Sequence, residues 1–221
     1  CGRFFGAHTA RHYDKLAEKL ASQPPGLEME AYLVPRSEQS AEIETGFYHG
    51  GLVQCQHAAL DPAAYHQGIL NCVLESGASV IGHTRATRIE RSRGAGFVVE
   101  TDRGRVRAGE VIVATSGYTS RLTPWQQRRV FPIGTYMIAT EDLGEAVARS
   151  LIPGDRMIVD TRRIVVYYRL SPDGRRILFG GRVSLNETNP RISAPRLHDH
   201  LTTIFPQLRE ARVSHSWMGF V

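Results

Sequence analysis

A capped amphipathic helix followed by a run of short β segments is the feature that most restricts the fold of this sequence. Asp61 suits the N-cap of a helix, and Pro62 suits the first helical position because its missing N–H is not needed there. The apolar side chains that follow share one face as far as Gly77, so the pattern predicts a helix over residues 61–76. That face consists of Tyr65, Ile69, Leu70, Val73 and Leu74.

Five short β segments are predicted after this helix, with glycine-containing turns between them. The last segment contains Val111–Ala114, which is uniformly apolar. A run of this kind is expected of a strand that is covered on both faces in a parallel sheet. The sequence therefore predicts a strand, a three-stranded meander and a return strand, at residues 79–82, 87–92, 96–102, 105–108 and 110–115.

The flanking regions predict further helices and strands. Apolar residues at helical spacing predict a helix over residues 8–23, and short strands are expected within 27–35 and 46–54. After Trp125 the pattern is typical of a mixed, largely antiparallel sheet with helices on one face, in a chain of two packed units without a linker. Its strands are predicted at 130–140, 157–160, 164–170, 176–180 and 210–217, and its helices near 142–151 and 195–205.

Composition excludes several classes of protein. The sequence has no run near the ~18 apolar residues that span a bilayer and no secretory signal pattern at its start, so no membrane partner is expected. Its three cysteines have no paired spacing, and the histidines lack metal-ligand spacing, which favours a reducing cytoplasm and no metal. The arginines behind the net charge of +5 are scattered, so nucleic acid is not the expected partner. A nucleic-acid-binding protein would show steeply salt-dependent DNA retention.

Short motifs of the common hydrolases, metalloproteases and nucleotide-binding loops are missing, and so is GxGxxG. An ordered set of weaker signatures is present instead. Together they resemble the D-amino-acid oxidase superfamily of FAD enzymes over nearly the whole chain, and most the gamma-glutamylputrescine oxidase branch. The signatures are Asp61-Pro62, Gly77-Ala78, Thr87–Glu90, Val111–Tyr118, Tyr167–Arg169, Arg176–Arg182, Phe205–Leu208 and His215–Gly219.

The resemblance implies roles for individual residues. On a strand, Tyr167 and Arg169 share one face and Tyr168 points to the other, so only one set can line a pocket. The resemblance places Tyr167, Tyr168 and Arg169 beside the substrate, where a guanidinium can hold a carboxylate, although a solvent-facing Arg beside a core Tyr explains the pattern equally well. On the cofactor side it places Gly2, Arg3, Ala114, Thr115, Ser116, Gly117, Tyr118, Gly180, Gly181 and Trp217.

These cofactor residues belong to three kinds of segment. The small residues from Ala114 to Gly117 would let backbone approach the dinucleotide, although an ordinary glycine turn accounts for them as well. Gly180 and Gly181 would leave room for a flat ring, or form a β-bulge. The segment from Cys1 to Gly6 resembles a glycine-rich stretch near the isoalloxazine, with Phe4-Phe5 in place of Asn-Gly.

The resemblance also implies a fold of class α/β (α+β). Residues 58–125 would be a remnant of a Rossmann-like FAD-binding domain, and residues 1–57 and 126–221 would form the substrate domain. The unit that binds the FAD pyrophosphate is expected to be missing, as from an internal fragment, so FAD would not be retained by these 221 residues alone. An exposed sheet edge at strand 110–115 would then permit a homodimer.

For the parent protein the resemblance implies an FAD-dependent oxidoreductase that oxidises the C–N bond of a small amine or amino acid to an imine. No side chain is required as a catalytic acid or base, because the flavin carries the chemistry. The alternative is a non-catalytic module, derived from the same fold, that binds small molecules or partners. Turnover with added FAD distinguishes the two.

Overall fold

The structure is a computed structural model that describes residues 2–182 and 189–220. The chain divides into two compact units. The sheet unit comprises Cys1–Leu60 and Gly134–Gly219, and the meander unit comprises Asp61–Ile133 and Phe220–Val221. The assignment of residues 58–125 to a cofactor domain and of the flanking segments to a substrate domain stays a prediction.

Among the described residues, the sheet unit contains eight strands and three α-helices. Its first segment supplies β1 (Arg3–Gly6), α1 (Ala10–Ala21), β2 (Ala31–Val34) and β3 (Gly51–Gln54). Its second supplies β7 (Gly134–Thr140), α4 (Glu145–Leu151), β8 (Met157–Asp160), β9 (Val166–Leu170), β10 (Ile177–Gly181), α5 (Pro190–Ile204) and β11 (Val213–Phe220). The strand order is β11-β7-β10-β9-β8-β1-β3-β2.

A single parallel pair joins the two segments of this sheet. β1 pairs in parallel with β8 and antiparallel with β3, whereas β7, β8, β9 and β10 pair with one another antiparallel. The predicted mixed, largely antiparallel sheet is therefore confirmed. Because β1 lies between β8 and β3, residues from both ends of the sequence share one ladder.

Alternation along the strands separates two apolar clusters. Phe4 and Val53 lie in the main core with Leu151 of α4 and Leu201 of α5, on one face of the sheet. Leu52 points the other way and packs against α1. α1 thus covers the opposite face at β1, β3 and β2, whereas α4 and α5, the two helices predicted after Trp125, pack into the main core on one face. The rest of the face on the α1 side, over β8, β9, β10 and β7, remains open to a cavity.

The meander unit contains α2 (Pro62–Glu75), β4 (Ala86–Arg91), β5 (Phe97–Thr101), β6 (Gly104–Ala108) and α3 (Pro124–Gln127). The carboxylate of Asp61 accepts hydrogen bonds from the backbone N–H groups of Ala63 and Ala64, at 2.9 and 3.2 Å. The predicted helix over 61–76 is therefore confirmed. β4, β5 and β6 form the predicted antiparallel meander.

Two strand predictions in this unit are wrong. Residues 79–82 and 110–115 are not strands, and Ile112 is 91% exposed rather than covered on both faces. A strand exists only through hydrogen bonds to a neighbouring strand, and no described residue supplies a neighbour for 110–115. The sheet edge that suggested a homodimer is therefore not present there.

Candidate functional site

A cavity of about 380 Å³ lies on the open face of the sheet unit. It is found over β7–β10, beyond the part of this face that α1 covers. The described residues of its walls are largely apolar, with two arginines, one histidine and two tyrosines, and none of them carries a carboxylate. The lining residues are Arg3, His57, Ala58, Met137, Met157, Ile158, Val159, Tyr167, Tyr168, Arg169 and Leu178.

The three predicted substrate residues on β9 fall on opposite faces of the sheet. Tyr167 and Arg169 are partly buried on the cavity face. Tyr168 is 3% exposed, and its ring stacks on Phe179 at 5.2 Å and meets Phe205 edge to face at 5.7 Å. The side chain of Tyr168 therefore belongs to the core, and only Tyr167 and Arg169 present polar groups to the cavity.

The ring of Tyr167 is fixed on both sides. Its hydroxyl hydrogen-bonds the hydroxyl of Thr135 on β7, and Gly180 is its cross-strand neighbour on β10. A Cβ atom at Gly180 would overlap the Tyr167 ring and the sulfur of Met137. The flat ring that lies against Gly180 is thus Tyr167 of the same chain. Any contact of Gly180 with a flavin stays a prediction.

The cavity is electropositive. Arg3 donates a 2.8 Å hydrogen bond from Nε to the Gln54 amide oxygen, and burial lowers the pKa of Arg3. Within residues 2–182 and 189–220, the guanidinium of Arg169 has no hydrogen-bond or ion-pair partner. A guanidinium facing apolar walls favours an anionic ligand group, because a carboxylate can accept two of its N–H bonds. This arrangement can hold a small carboxylate.

The other predicted cofactor residues of the sheet unit are dispersed. Gly2 precedes β1, and Arg3 lies on this interior strand rather than in a glycine-rich loop. Gly181 faces Leu197 of α5, on the side away from the cavity. Trp217 lies on β11 and is 41% exposed. Only Arg3 therefore joins Tyr167 and Arg169 at the cavity.

The predicted dinucleotide turn lies in the meander unit. Ala114 and Thr115 are exposed, and Ser116 adopts a left-handed backbone with φ of 44°. Gly117 must be small because a Cβ there would come within 2.7 Å of Phe220, whose ring meets Tyr118 edge to face. Because this turn is exposed and consists largely of small residues, its backbone is accessible to a dinucleotide. We assign no residue to the FAD pyrophosphate.

A buried polar network escaped the sequence predictions. The Tyr48 hydroxyl lies 2.9 Å from that of Tyr168 and donates to the Asp160 carboxylate at 3.4 Å. Asp160 also accepts from Nε of Arg162 at 2.6 Å. Burial raises the pKa of Tyr48 and of Tyr168 well above the usual value. The one sequence signal for this network was Asp160 at the end of an apolar strand, since a buried carboxylate requires partners.

Metal and membrane binding find no support in the residues described. No group of three His, Cys, Asp or Glu side chains there could hold a metal ion. In the same residues, no helix is long and apolar enough to cross a bilayer.

Comparison with known proteins gives consistent matches. The model of the DAO family, described as FAD dependent oxidoreductase, matches residues 1–221. Gamma-glutamylputrescine oxidoreductase of Escherichia coli K12 is 33% identical over 80% of this chain and 41% of its own length. The protein named Probable oxidoreductase OrdL of Rhizobium meliloti is 31% identical over 84% of this chain and 42% of its own length. The chain thus spans about two fifths of these relatives.

Among solved structures, glycine oxidase from Bacillus cereus ATCC 14579 superposes with a TM-score of 0.78 at 17% identity. The match covers 99% of this chain and 60% of that one. At that identity the likeness shows the fold. It confirms the predicted mixed α/β class, with a large mixed sheet and a small antiparallel one.

Proposed function

This chain belongs to the DAO family of FAD-dependent oxidoreductases, and from that premise we propose that it forms the substrate-binding part of an enzyme that oxidises the C–N bond of a small amino acid to an imine. The observation that carries the proposal is the Arg169 guanidinium, which has no partner and meets no carboxylate among the described residues that line the cavity. The names of two similar proteins, gamma-glutamylputrescine oxidoreductase and glycine oxidase, support an amine or amino-acid substrate.

We assign the residues of the cavity different roles in substrate binding. Arg169 holds the substrate carboxylate through paired N–H bonds, and Arg3 adds positive charge nearby. Tyr167 forms a wall beside the amine, in a position set by Thr135 and by the absence of a side chain at Gly180. The apolar side chains Met137, Met157, Val159 and Leu178 exclude water from this wall.

The FAD that the family uses supplies, when bound, the two-electron oxidation of the substrate. The turn from Ala114 to Tyr118 in the meander unit is the segment that we propose for contact with it. The chain is required to orient the substrate and to keep the amine unprotonated by desolvation, and no side chain is required as a catalytic acid or base.

The experiment compares matched substrates in the FAD-loaded enzyme that contains this chain. One substrate is a small amino acid, and the other is the corresponding amine without a carboxylate. Arg169→Gln should raise KM for the amino acid by about 10- to 100-fold, the loss expected for a charge-assisted bidentate contact, and leave KM for the amine nearly unchanged. Arg163→Gln is the control, because Arg163 is exposed and does not line the cavity. Equal effects of Arg169→Gln on both substrates would refute carboxylate recognition by this residue.

A further inference from the structure

The carboxyl ends of the parallel strands β1 and β8 form a second polar locus in the sheet unit. Gly6 lies opposite Asp160 at the ends of the two strands. The chain then continues into His8 on one side and Thr161 on the other, and the His8 backbone N–H donates to the Thr161 hydroxyl at 3.0 Å. Side chains that follow neighbouring parallel strands converge at this edge, where open sheets commonly bind ligands.

The carboxylate of Asp160 is fully occupied by the protein. One oxygen accepts from Nε of Arg162 at 2.6 Å and from the Tyr48 hydroxyl at 3.4 Å. The other accepts from the backbone N–H of Arg162 at 3.1 Å. Asp160 therefore holds Arg162 through one edge of the guanidinium and leaves the Nη2 group free to donate elsewhere.

Three buried nitrogen atoms, one in this ion pair and two on histidines that feel its charges, have no hydrogen-bond partner in the described part of the chain. They are Nη2 of Arg162, Nδ1 of His8 and Nδ1 of His200. A buried polar group without a partner destabilises the folded state, so native proteins seldom leave several of them. All three nitrogens can donate, since the histidine tautomer adapts to its partner.

The rings around Arg162 connect these groups. The guanidinium lies 5.1 Å from the centroid of the Phe47 ring, and the His8 ring lies 5.3 Å from the same centroid. His200 on α5 is linked to these groups by charge. Burial and then the charge of Arg162 lower the pKa of both histidines, against the opposing charge of Asp160. His12 and His49 also lie close enough to His8 to lower its pKa further.

We propose that Arg162, His8 and His200 form a binding site for a small oxyanion, a carboxylate or phosphate group, distinct from the cavity that contains Arg169. Three donors match the lone pairs of an oxyanion, whereas one water molecule accepts only two hydrogen bonds. None of the three residues lines the cavity, and Asp160 points to the core face of the sheet. The orphan atoms are covered, and the Arg162 side chain is 18% exposed, so the anion approaches from solvent along Arg162.

The test follows the imidazole nitrogens of His8 and His200 by long-range ¹H–¹⁵N NMR on the purified chain. Phosphate and acetate are titrated separately at constant ionic strength, with chloride as the reference salt. A saturable change in the Nδ1 signals and a rise in the pKa of both histidines are expected with at least one probe. Saturation by phosphate alone identifies a phosphate site, and saturation by acetate identifies a carboxylate site.

Two variants and a control separate this site from general ion effects. Arg162→Gln should weaken binding by about tenfold or more, and Arg163→Gln should leave it unchanged because Arg163 is an exposed neighbour. His200→Gln keeps the Arg162–Asp160 ion pair, so it tests the site even where Arg162→Gln does not fold. Absence of saturation with both probes, or equal binding by Arg162→Gln or His200→Gln, would overturn the proposal.

Discussion

The hydrogen bond between Tyr48 and Tyr168 predicts an asymmetric pair of stability losses. Removing the Tyr168 hydroxyl leaves Tyr48 able to donate to Asp160 at 3.4 Å. Removing the Tyr48 hydroxyl leaves that of Tyr168 buried without a described partner. A neutral hydrogen bond is worth about 1 kcal/mol net, whereas a buried orphan costs about 1–3 kcal/mol. We therefore expect losses of about 1 kcal/mol for Tyr168→Phe and about 2 kcal/mol for Tyr48→Phe.

The double variant measures the coupling. Tyr48→Phe with Tyr168→Phe removes both partners at once, so its loss should be below the sum of the two single losses by about 1 kcal/mol. Urea unfolding supplies the free energies. Trp217 lies in the sheet unit and Trp125 in the meander unit, so a Trp125→Phe background makes tryptophan fluorescence report the sheet unit.

Two results would refute this reasoning. Strictly additive losses would mean that the two hydroxyls do not depend on each other. A larger loss for Tyr168→Phe than for Tyr48→Phe would mean that Asp160 does not support Tyr48 in the way the distances indicate. Tyr136→Phe is an unsuitable control because that residue is equally buried, whereas Tyr65→Phe changes an exposed hydroxyl in the meander unit and should leave this transition unchanged.

Three further predictions concern other parts of the chain. Gly180→Ala should cost roughly 1–3 kcal/mol in urea unfolding, since the added Cβ overlaps the Tyr167 ring; a cost near zero would mean that the ring is not held there. Asp61→Ala should cost about 1 kcal/mol and speed amide hydrogen exchange in α2, whereas Asp61→Asn keeps the cap and serves as the control. The pKa values of His8 and His200 are lowered in the folded state, so the unfolded state binds more protons as the pH falls through its histidine pKa of about 6.5. The free energy of unfolding should therefore fall from pH 7 to pH 5. Replacing both histidines with Gln should flatten that slope, and an unchanged slope would contradict the assignment.

Local signals predicted the elements that local chemistry determines. The Asp61 cap, the helical spacing after it and the turn glycines of the meander gave α2 and β4–β6 within a residue or two. The apolar run at 110–115 failed because a strand depends on neighbours that the run itself does not specify. An apolar run indicates that burial would be favourable, but no described strand covers Ile112, which lies exposed.

The candidate site was predicted only in part for a similar reason. Period-two alternation correctly separated Tyr168 from Tyr167 and Arg169, but it could not indicate which face the core would occupy. The hydroxyl that pairs with Tyr168 comes from far along the chain, since Tyr48 is 120 positions away. The roles of all the predicted site residues in binding stay predictions.

The central position of β1 has a consequence for biosynthesis. One edge of β1 pairs with β3, which is synthesised soon after it. The other edge stays unpaired until β8 has been synthesised. His8 and Thr161, which flank this parallel pair, are 153 positions apart, so at roughly 5–20 residues per second the ribosome needs on the order of ten to thirty seconds to supply the missing strand. During that interval the nascent chain has an unpaired β edge beside Phe4 and Phe5. Another chain can pair with this edge unless a chaperone shields it.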